Sequence, residues 1–298
     1  MRSVVGLRAK KSLAKSAGLA VAVVVILFSV VKWYSGDRPY LQLWPERTPV
    51  SGIVWQPDSD TTKLDGNWEE LGVDTLLVQW LEVDGIGFAP GVGVPPPHLP
   101  NWNSISTQPW AKKVILGLAG SFSEQKSRDQ TVELAERSSE IANTQLPLNI
   151  AGYYFPVEDD PTWDEAPEVM KRALKLLPRP IWISVYDGEN IGGEALATWL
   201  AGWLPDDVGI LFQDGVGVET RSPPVARQYA DALAKQFGKE RVGVIVEAFR
   251  PGLDTLFRPA SADELTPQIQ AMRGFEIYLF DGPHYLNDDA VLSVKEKL

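Results

Sequence analysis

The chain has no cysteine, which excludes disulfides, thiolate metal sites and cysteine nucleophiles together. Only two histidines, His98 and His284, are present, too few for a histidine-rich metal centre. No basic stripe occurs and no glycine loop followed by Lys-Ser/Thr that would cradle phosphates, and Gly215-Val216-Gly217 is too short for a dinucleotide fingerprint. Nucleotide chemistry is disfavoured, and no cofactor and no metal is expected.

Acidic residues are missing from one stretch, the first 34 residues, which hold Arg2, Arg8, Lys10, Lys11, Lys15 and Lys32. Setting those six aside from 28 basic residues leaves 22 against 39 acids, a net of −17. Such a body repels nucleic acid and anionic lipid and suits a neutral or cationic ligand.

The basic start is followed by an apolar run from Ala17 to Val31, then Lys32, Trp33 and Tyr34. The run is short for a span of about 20 residues, but a snorkelling Lys32 and interfacial Trp33 and Tyr34 extend it. No small-x-small cleavage site follows, so the segment is expected to be an uncleaved signal anchor. That divides the chain into a cytoplasmic basic segment (1–15), a single transmembrane helix (16–34), a proline-containing linker (35–50) and a body (51–298). The positive-inside rule puts the body in the periplasm of a bacterial inner-membrane protein.

Within the body, short apolar runs bounded by turn residues predict strands at Gly52–Gln56, Thr75–Leu81, Val114–Ala119, Ile150–Phe155, Ile181–Tyr186, Val208–Gln213, Val242–Glu247 and Phe275–Phe280. Helical patterns lie between them, around 67–71, 107–113, 129–145, 166–177, 194–204, 224–237, 263–272 and from 288. Eight strands alternating with eight helices predict an α/β fold, a single (β/α)8 TIM-like barrel. Periodicity alone leaves a doubly wound open sheet as the rival. The one long unpatterned excursion, 83–106, follows the second strand and would sit on the catalytic face.

Five of these runs end on an acid: Glu158, Asp187, Asp214, Glu247 and Asp281. In a parallel barrel, strand ends build the active site, because the strand fixes the Cα while the loop frees the side chain. Glycoside hydrolysis needs two carboxylates and no cofactor. Glu158 on the fourth strand and Glu247 on the seventh meet that need, with Asp214 to orient the sugar or tune one glutamate. An arrangement with Asp187, Asp214 and Asp281 as metal ligands is the lesser alternative. Eleven tryptophans make stacking platforms for sugar rings plausible at strand ends, with Trp55, Trp80, Trp102 and Trp163 as candidates. Trp199 and Trp203, spaced i, i+4, fit helix packing instead. Gln56, Gln79, Gln213, Tyr154 and Tyr186 are candidate hydroxyl partners. Arg250, Asp281 and His284 complete the candidate substrate-binding set.

The fourth-strand and seventh-strand glutamates resemble a large superfamily of barrel glycosidases in which those strands supply the acid/base and the nucleophile; Val157 stands where that superfamily usually has asparagine. Residues 50 to 286 more closely resemble an uncharacterised bacterial barrel family, the domain-of-unknown-function family 4434, regarded as candidate glycoside hydrolases. The motifs are Ser51-Gly-Ile-Val-Trp-Gln-Pro57, Gly152-Tyr-Tyr-Phe-Pro-Val-Glu-Asp-Asp160, Phe212-Gln-Asp-Gly-Val-Gly217 and Val246-Glu-Ala-Phe-Arg250. The expected protein is thus a membrane-anchored, extracytoplasmic glycoside hydrolase acting on a bacterial polysaccharide. The alternative is a non-catalytic carbohydrate-binding or scaffold protein of polysaccharide synthesis or export machinery.

Overall fold

The computed structural model describes residues 50–253 and 256–298. The expected basic segment, signal anchor and nearly all of the linker lie outside the described residues, and among these no helix is long and apolar enough to cross a membrane. Val50, the last residue of the expected linker, is already buried, its amide donating to Leu71 O at 3.2 Å.

Eight parallel strands close into a barrel: β1 Gly52–Trp55, β2 Thr75–Val78, β3 Lys113–Gly117, β4 Ile150–Asp159, β5 Ile181–Val185, β6 Val208–Gln213, β7 Val242–Glu247 and β8 Glu276–Phe280. Each pairs with its neighbour in sequence, and β1 returns to β8 through Gly52↔Tyr278 and Ile53↔Leu279. Closure excludes the open doubly wound sheet.

Helices Glu124–Asp129 and Thr131–Ile141 follow β3, and one helix follows each later strand: Ala166–Ala173, Gly193–Ala201, Pro223–Phe237, Ala262–Ala271 and, after the short Gly282–Tyr285, Asp288–Lys297. Pro223–Phe237 buries Ala226, Tyr229, Ala230 and Leu233, the i, i+3, i+4, i+7 stripe of a helix packed on a sheet. Two expected helices are only single 3-10 turns, Trp68–Leu71 and Pro109–Ala111. There the fully buried rings of Trp68 and Trp110 meet edge to face at 5.0 Å and cover the barrel wall in place of longer helices.

Alternation along the strands fills the interior. Val54, Leu77, Ile115, Tyr154, Leu211, Ile245 and Tyr278 form one inward-facing cluster, with Trp182 and Phe280 against it. The large rings fit because glycines face them: a Cβ on Gly209 would lie 2.3 Å from the Trp182 ring, and one on Gly52 2.4 Å from Tyr278. The interior is a packed plug, not a pore.

The excursion after β2 is more ordered than its composition suggests. A ribbon Glu82–Val83 pairs with Ile86–Gly87 and with Ala119–Gly120, and Asn101 caps a one-turn helix Trp102–Ile105. Phe88 and Trp102 are buried there, the indole N–H of Trp102 donating to Phe88 O at 3.0 Å. Val83 and Phe88 form a small cluster with Trp80, Trp102 joins the main core, and most of residues 84–99 between them are exposed.

Candidate active site

Gln56, Gln79, Gln213 and Glu247 each stand two residues beyond an inward apolar residue, Val54, Leu77, Leu211 and Ile245 respectively. Strand parity therefore turns all four inward, and the C-terminal mouth carries a polar ring above the apolar plug.

Glu158 joins that ring through an irregularity in β4. Phe155 pairs with Ile183, but the next pair is Glu158 with Ser184, so Pro156 and Val157 are extra residues. Two inserted residues preserve parity: Val157 packs outward, while Pro156 and Glu158 face the mouth. They also lower Glu158 by about 6–7 Å, level with Ser184 rather than Tyr186. The Gln213 side-chain amide donates to Glu158 Oε2 at 2.5 Å. Burial pushes the Glu158 carboxyl up to about 7, against the pull of that amide.

Glu247, 5% exposed, is gripped from the loop after β6. The amides of Gly217 and Val218 donate to its Oε2 at 2.6 and 3.1 Å. Behind it lies Asp214, fully buried, whose Oδ1 accepts from the Glu247 and Val216 amides and whose Oδ2 accepts from Gln268. Burial first, then the Asp214 carboxylate, raise the Glu247 carboxyl, while the two loop amides oppose them; Glu158 adds a smaller push. Asp214 is raised by its own burial. Donors fixed on Oε2 favour the ionised form of Glu247, whereas Glu158 has one amide and a cavity beside it. Both carboxyls are raised, Glu247 to about 8 and Glu158 to about 7, so their order does not separate acid from anion; the two loop amides held on Oε2 are the feature that suits Glu247 to the anion.

Two adjoining cavities meet at Glu158. One, about 140 Å³, lies on the barrel axis over Val54, Leu77, Tyr154 and Ile245, with Gln79, Ser184, Gln213 and Phe280 around it. The other, about 150 Å³, runs between Trp80, Phe122 and Glu124 and shares Gln79, Pro156 and Glu158 with the first.

Several expected contacts are elsewhere. Trp55, next to inward Val54, faces outward, is completely buried against Trp102 and donates to Thr61 Oγ1. Trp102 is likewise buried, and Trp163, beneath the Arg128 guanidinium, lines a separate cavity of about 460 Å³ that contains neither Glu158 nor Glu247, so none of these three lines the cavities at Glu158. Trp80 does line the second cavity, its indole N–H donating to Pro57 O. Arg250 is spent on the carbonyls of Glu247, Phe249 and Glu264 and on Gln268 Oε1. Asp281 and His284 form a clamp with Asp58 at the β1–β8 seam: His284 Nδ1 lies 2.7 Å from Asp281 Oδ2 and Nε2 3.0 Å from Asp58 Oδ2. Neither Glu247 nor Asp214 lines either cavity: Glu247 stands in the polar ring above Ile245, and Asp214 acts on it from behind. Tyr186 is held at 2.7 Å from Thr220 Oγ1, and Tyr154 is the floor of the axial cavity.

The three acids offered as metal ligands are dispersed, Asp187 to Tyr229, Asp214 to Gln268 and Asp281 to His284. Among the described residues no group of three or more acids or histidines is placed to hold a metal ion.

Supporting residues that the sequence does not reveal are Arg221 and Gln268. Buried Arg221 donates to the carbonyls of Asp187 and Gln213, tying the ends of β5 and β6, and stacks 4.7 Å over Tyr229. Gln268 links Asp214 to Arg250 from the helix after β7. Arg221 acts across 8 and 34 residues of chain and Gln268 across 18 and 54, without a motif in the sequence that marks either.

No family model matches this chain, and no curated protein matches it. Among solved structures, it is similar to a putative alpha-L-fucosidase from Bacteroides thetaiotaomicron, with 14% identity, 87% of this chain and 94% of that one covered, and a TM-score of 0.55. A chitinase from Chromobacterium violaceum aligns over 83% of this chain and 98% of its own, with 12% identity and a TM-score of 0.41. The first of these likenesses is one of fold, a barrel of the same kind.

Proposed function

We propose that this chain is a glycoside hydrolase of the family 4434 type that cuts a bacterial polysaccharide with two carboxylates, Glu158 and Glu247. One observation carries the reading: acids from β4 and β7 both turn inward at the C-terminal mouth, and Glu158 lines the two cavities there. The solved structure of similar fold is named for a glycosidase, which supports the class by analogy only.

In this reading the protonated Glu158 gives its proton to the glycosidic oxygen as the C1–O bond breaks, and Glu247 attacks C1. Water then adds hydroxyl to C1, displacing Glu247, and returns a proton to Glu158, so one water is consumed per bond cut. Gln213 orients Glu158, and Asp214 with the Gly217–Val218 amides orients Glu247.

The basic and then apolar N-terminus supports a signal anchor holding this body in the periplasm, near polysaccharide synthesis or export machinery. Fractionation with the inner membrane, and digestion of the body by protease added from the periplasmic side alone, is the expected result; a soluble protein shortened at its N-terminus would overturn the anchor. For the chemistry, reducing-sugar release from bacterial polysaccharides by the body, lost in Glu247→Gln, is the test. Equal release by the variant would refute the assignment.

A further inference from the structure

The two cavities differ in shape and position. The axial one is a blind well. Its floor residues Val54, Leu77, Tyr154 and Ile245 are 0–5% exposed and belong to the packed interior, with Trp182 and Tyr278 filling the barrel beside them. At about 140 Å³ it falls below the roughly 300 Å³ at which pockets for drug-sized ligands begin, so it holds one sugar ring and gives a chain no way through.

The second cavity leaves the well sideways, on the β2–β3 side. Trp80 is fixed by its bond to Pro57 O, and the half-exposed ring of Phe122 stands edge-on to it at 5.1 Å. Phe122 is held by a rigid mount: its amide and the Ser121 hydroxyl both donate to Asp84, which also pairs with Lys126. A rigid ring with an open face is what a second sugar can stack on. Glu158 belongs to the linings of both cavities, and so stands at the boundary between well and groove. Neither lining contains a Lys, Arg or His, while Glu158 and Glu124 are acidic, so nothing there would pair with a uronate, sulfate or phosphate.

From this geometry, and resting on the hydrolase reading above, we propose that the site is exo-acting: it takes one uncharged sugar at the non-reducing end into the axial well and leaves the remaining chain in the Trp80–Phe122 groove. The direction follows from the positions of the acids. Glu247 lines neither cavity, but it stands one inward position above Ile245 and pairs in register with Phe280, and those two residues do line the well, so Glu247 faces a sugar seated there and the C1 attacked is that of the sugar inside. The leaving oxygen then faces Glu158 at the boundary, and cleavage frees a monosaccharide and a chain shortened by one.

The test uses the full chain and a panel of oligosaccharides fluorescently labelled at the reducing end, with gluco-, galacto-, manno-, fuco- or N-acetylglucosamine termini, plus oligogalacturonate. Loss of single units from the unlabelled end of a neutral member supports the inference, and Phe122→Ala should then raise KM for that oligosaccharide at least five-fold more than for the glycosyl fluoride of its terminal sugar. Internal cuts, or cleavage of oligogalacturonate, overturn it while leaving the hydrolase reading intact. If nothing is cut, exo action and the hydrolase reading fall together, and saturation-transfer NMR on Glu158→Gln with the same panel tests what is left of the inference: contact confined to the terminal neutral sugar and its neighbour supports end-on seating in well and groove, and contact spread along the chain, or none with any member, overturns that too.

Discussion

The amide of Gly217 lies 2.6 Å from Glu247 Oε2, and a Cβ built on Gly217 would fall 2.8 Å from that same oxygen and 2.6 Å from the Glu247 Cβ. The hydrogen bond that fixes the carboxylate therefore exists only because position 217 has no side chain. Gly217→Ala should push Glu247 off its two amide donors. A displacement of about 1 Å at a reacting group costs about 100-fold in rate. We expect kcat to fall about 10- to 100-fold, with a lowered melting temperature as well, because Gly217 is buried and the new Cβ would also fall 2.9 Å from Phe249 O. Unchanged kcat would show that Glu247 does not need this seat.

Glu158 and Glu247 should fail differently. Glu158→Ala removes the proton donor, so aryl glycosides with acidic phenol leaving groups should keep far more of their rate than natural glycans, whose leaving oxygen must be protonated. Glu247→Ala should lower both substrate types by about 1,000-fold or more, with azide or formate restoring part of the activity. Equal losses on both substrate types in Glu158→Ala would show that another group carries the proton.

Much of this arrangement was legible in the chain, and the misplacements have a common cause. The eight strands and the acids at their ends follow from short apolar runs, and they lie where periodicity puts them. The inward or outward sense of each residue was legible too, since Trp55 and Asp214 sit one position from inward Val54 and Gln213 and must face the other way. What period counting cannot give is the depth of Glu158. That depends on the extra Pro156 and Val157, for which a proline inside a strand is the only local sign. The clamp of Asp58, His284 and Asp281 joins residues 226 positions apart, and nothing in either segment marks the other as its partner.

That clamp makes His284 a structural residue with a pH signature of its own. The Asp281 carboxylate first, and Asp58 after it, raise the imidazole to about 9. A histidine raised above its ordinary value stabilises the fold fully below about pH 6.5 and loses that contribution as pH climbs through about 9. The ring is half-exposed, so solvent screening holds the effect to about 1 kcal/mol. His284→Ala should lower the melting temperature at pH 6 and converge with the parent near pH 10, with KM unchanged. A raised KM with no change in melting would restore His284 to the substrate site.

Glu158 has a pH consequence for activity as well as one for stability, the latter of the same sign as that of His284. Burial raises its carboxyl from about 4.5 to about 7, so the folded state holds a proton that the unfolded chain releases above about 4.5. Folding stability from this group is complete below about pH 4.5 and declines as pH rises through about 7, by about 3 kcal/mol at full ionisation. Asp159, completely buried between β4 and the Glu124–Asp129 helix beside Arg128, is raised for the same reason and adds to the slope. The melting temperature should therefore fall between pH 5 and pH 8, and Glu158→Gln, which stays neutral and keeps the shape, should flatten the part of the fall that belongs to Glu158. The same proton is the one proposed for the leaving oxygen, while Glu247, raised to about 8, must be ionised to attack, so kcat/KM should follow a bell that is flat between about 7 and 8 and falls tenfold per pH unit on either side. Calorimetry and a kcat/KM profile on one preparation check both at once. If Glu158→Gln leaves the melting slope untouched while the activity profile still breaks near 7, the ionisation governing turnover belongs to the Asp214–Glu247 pair instead.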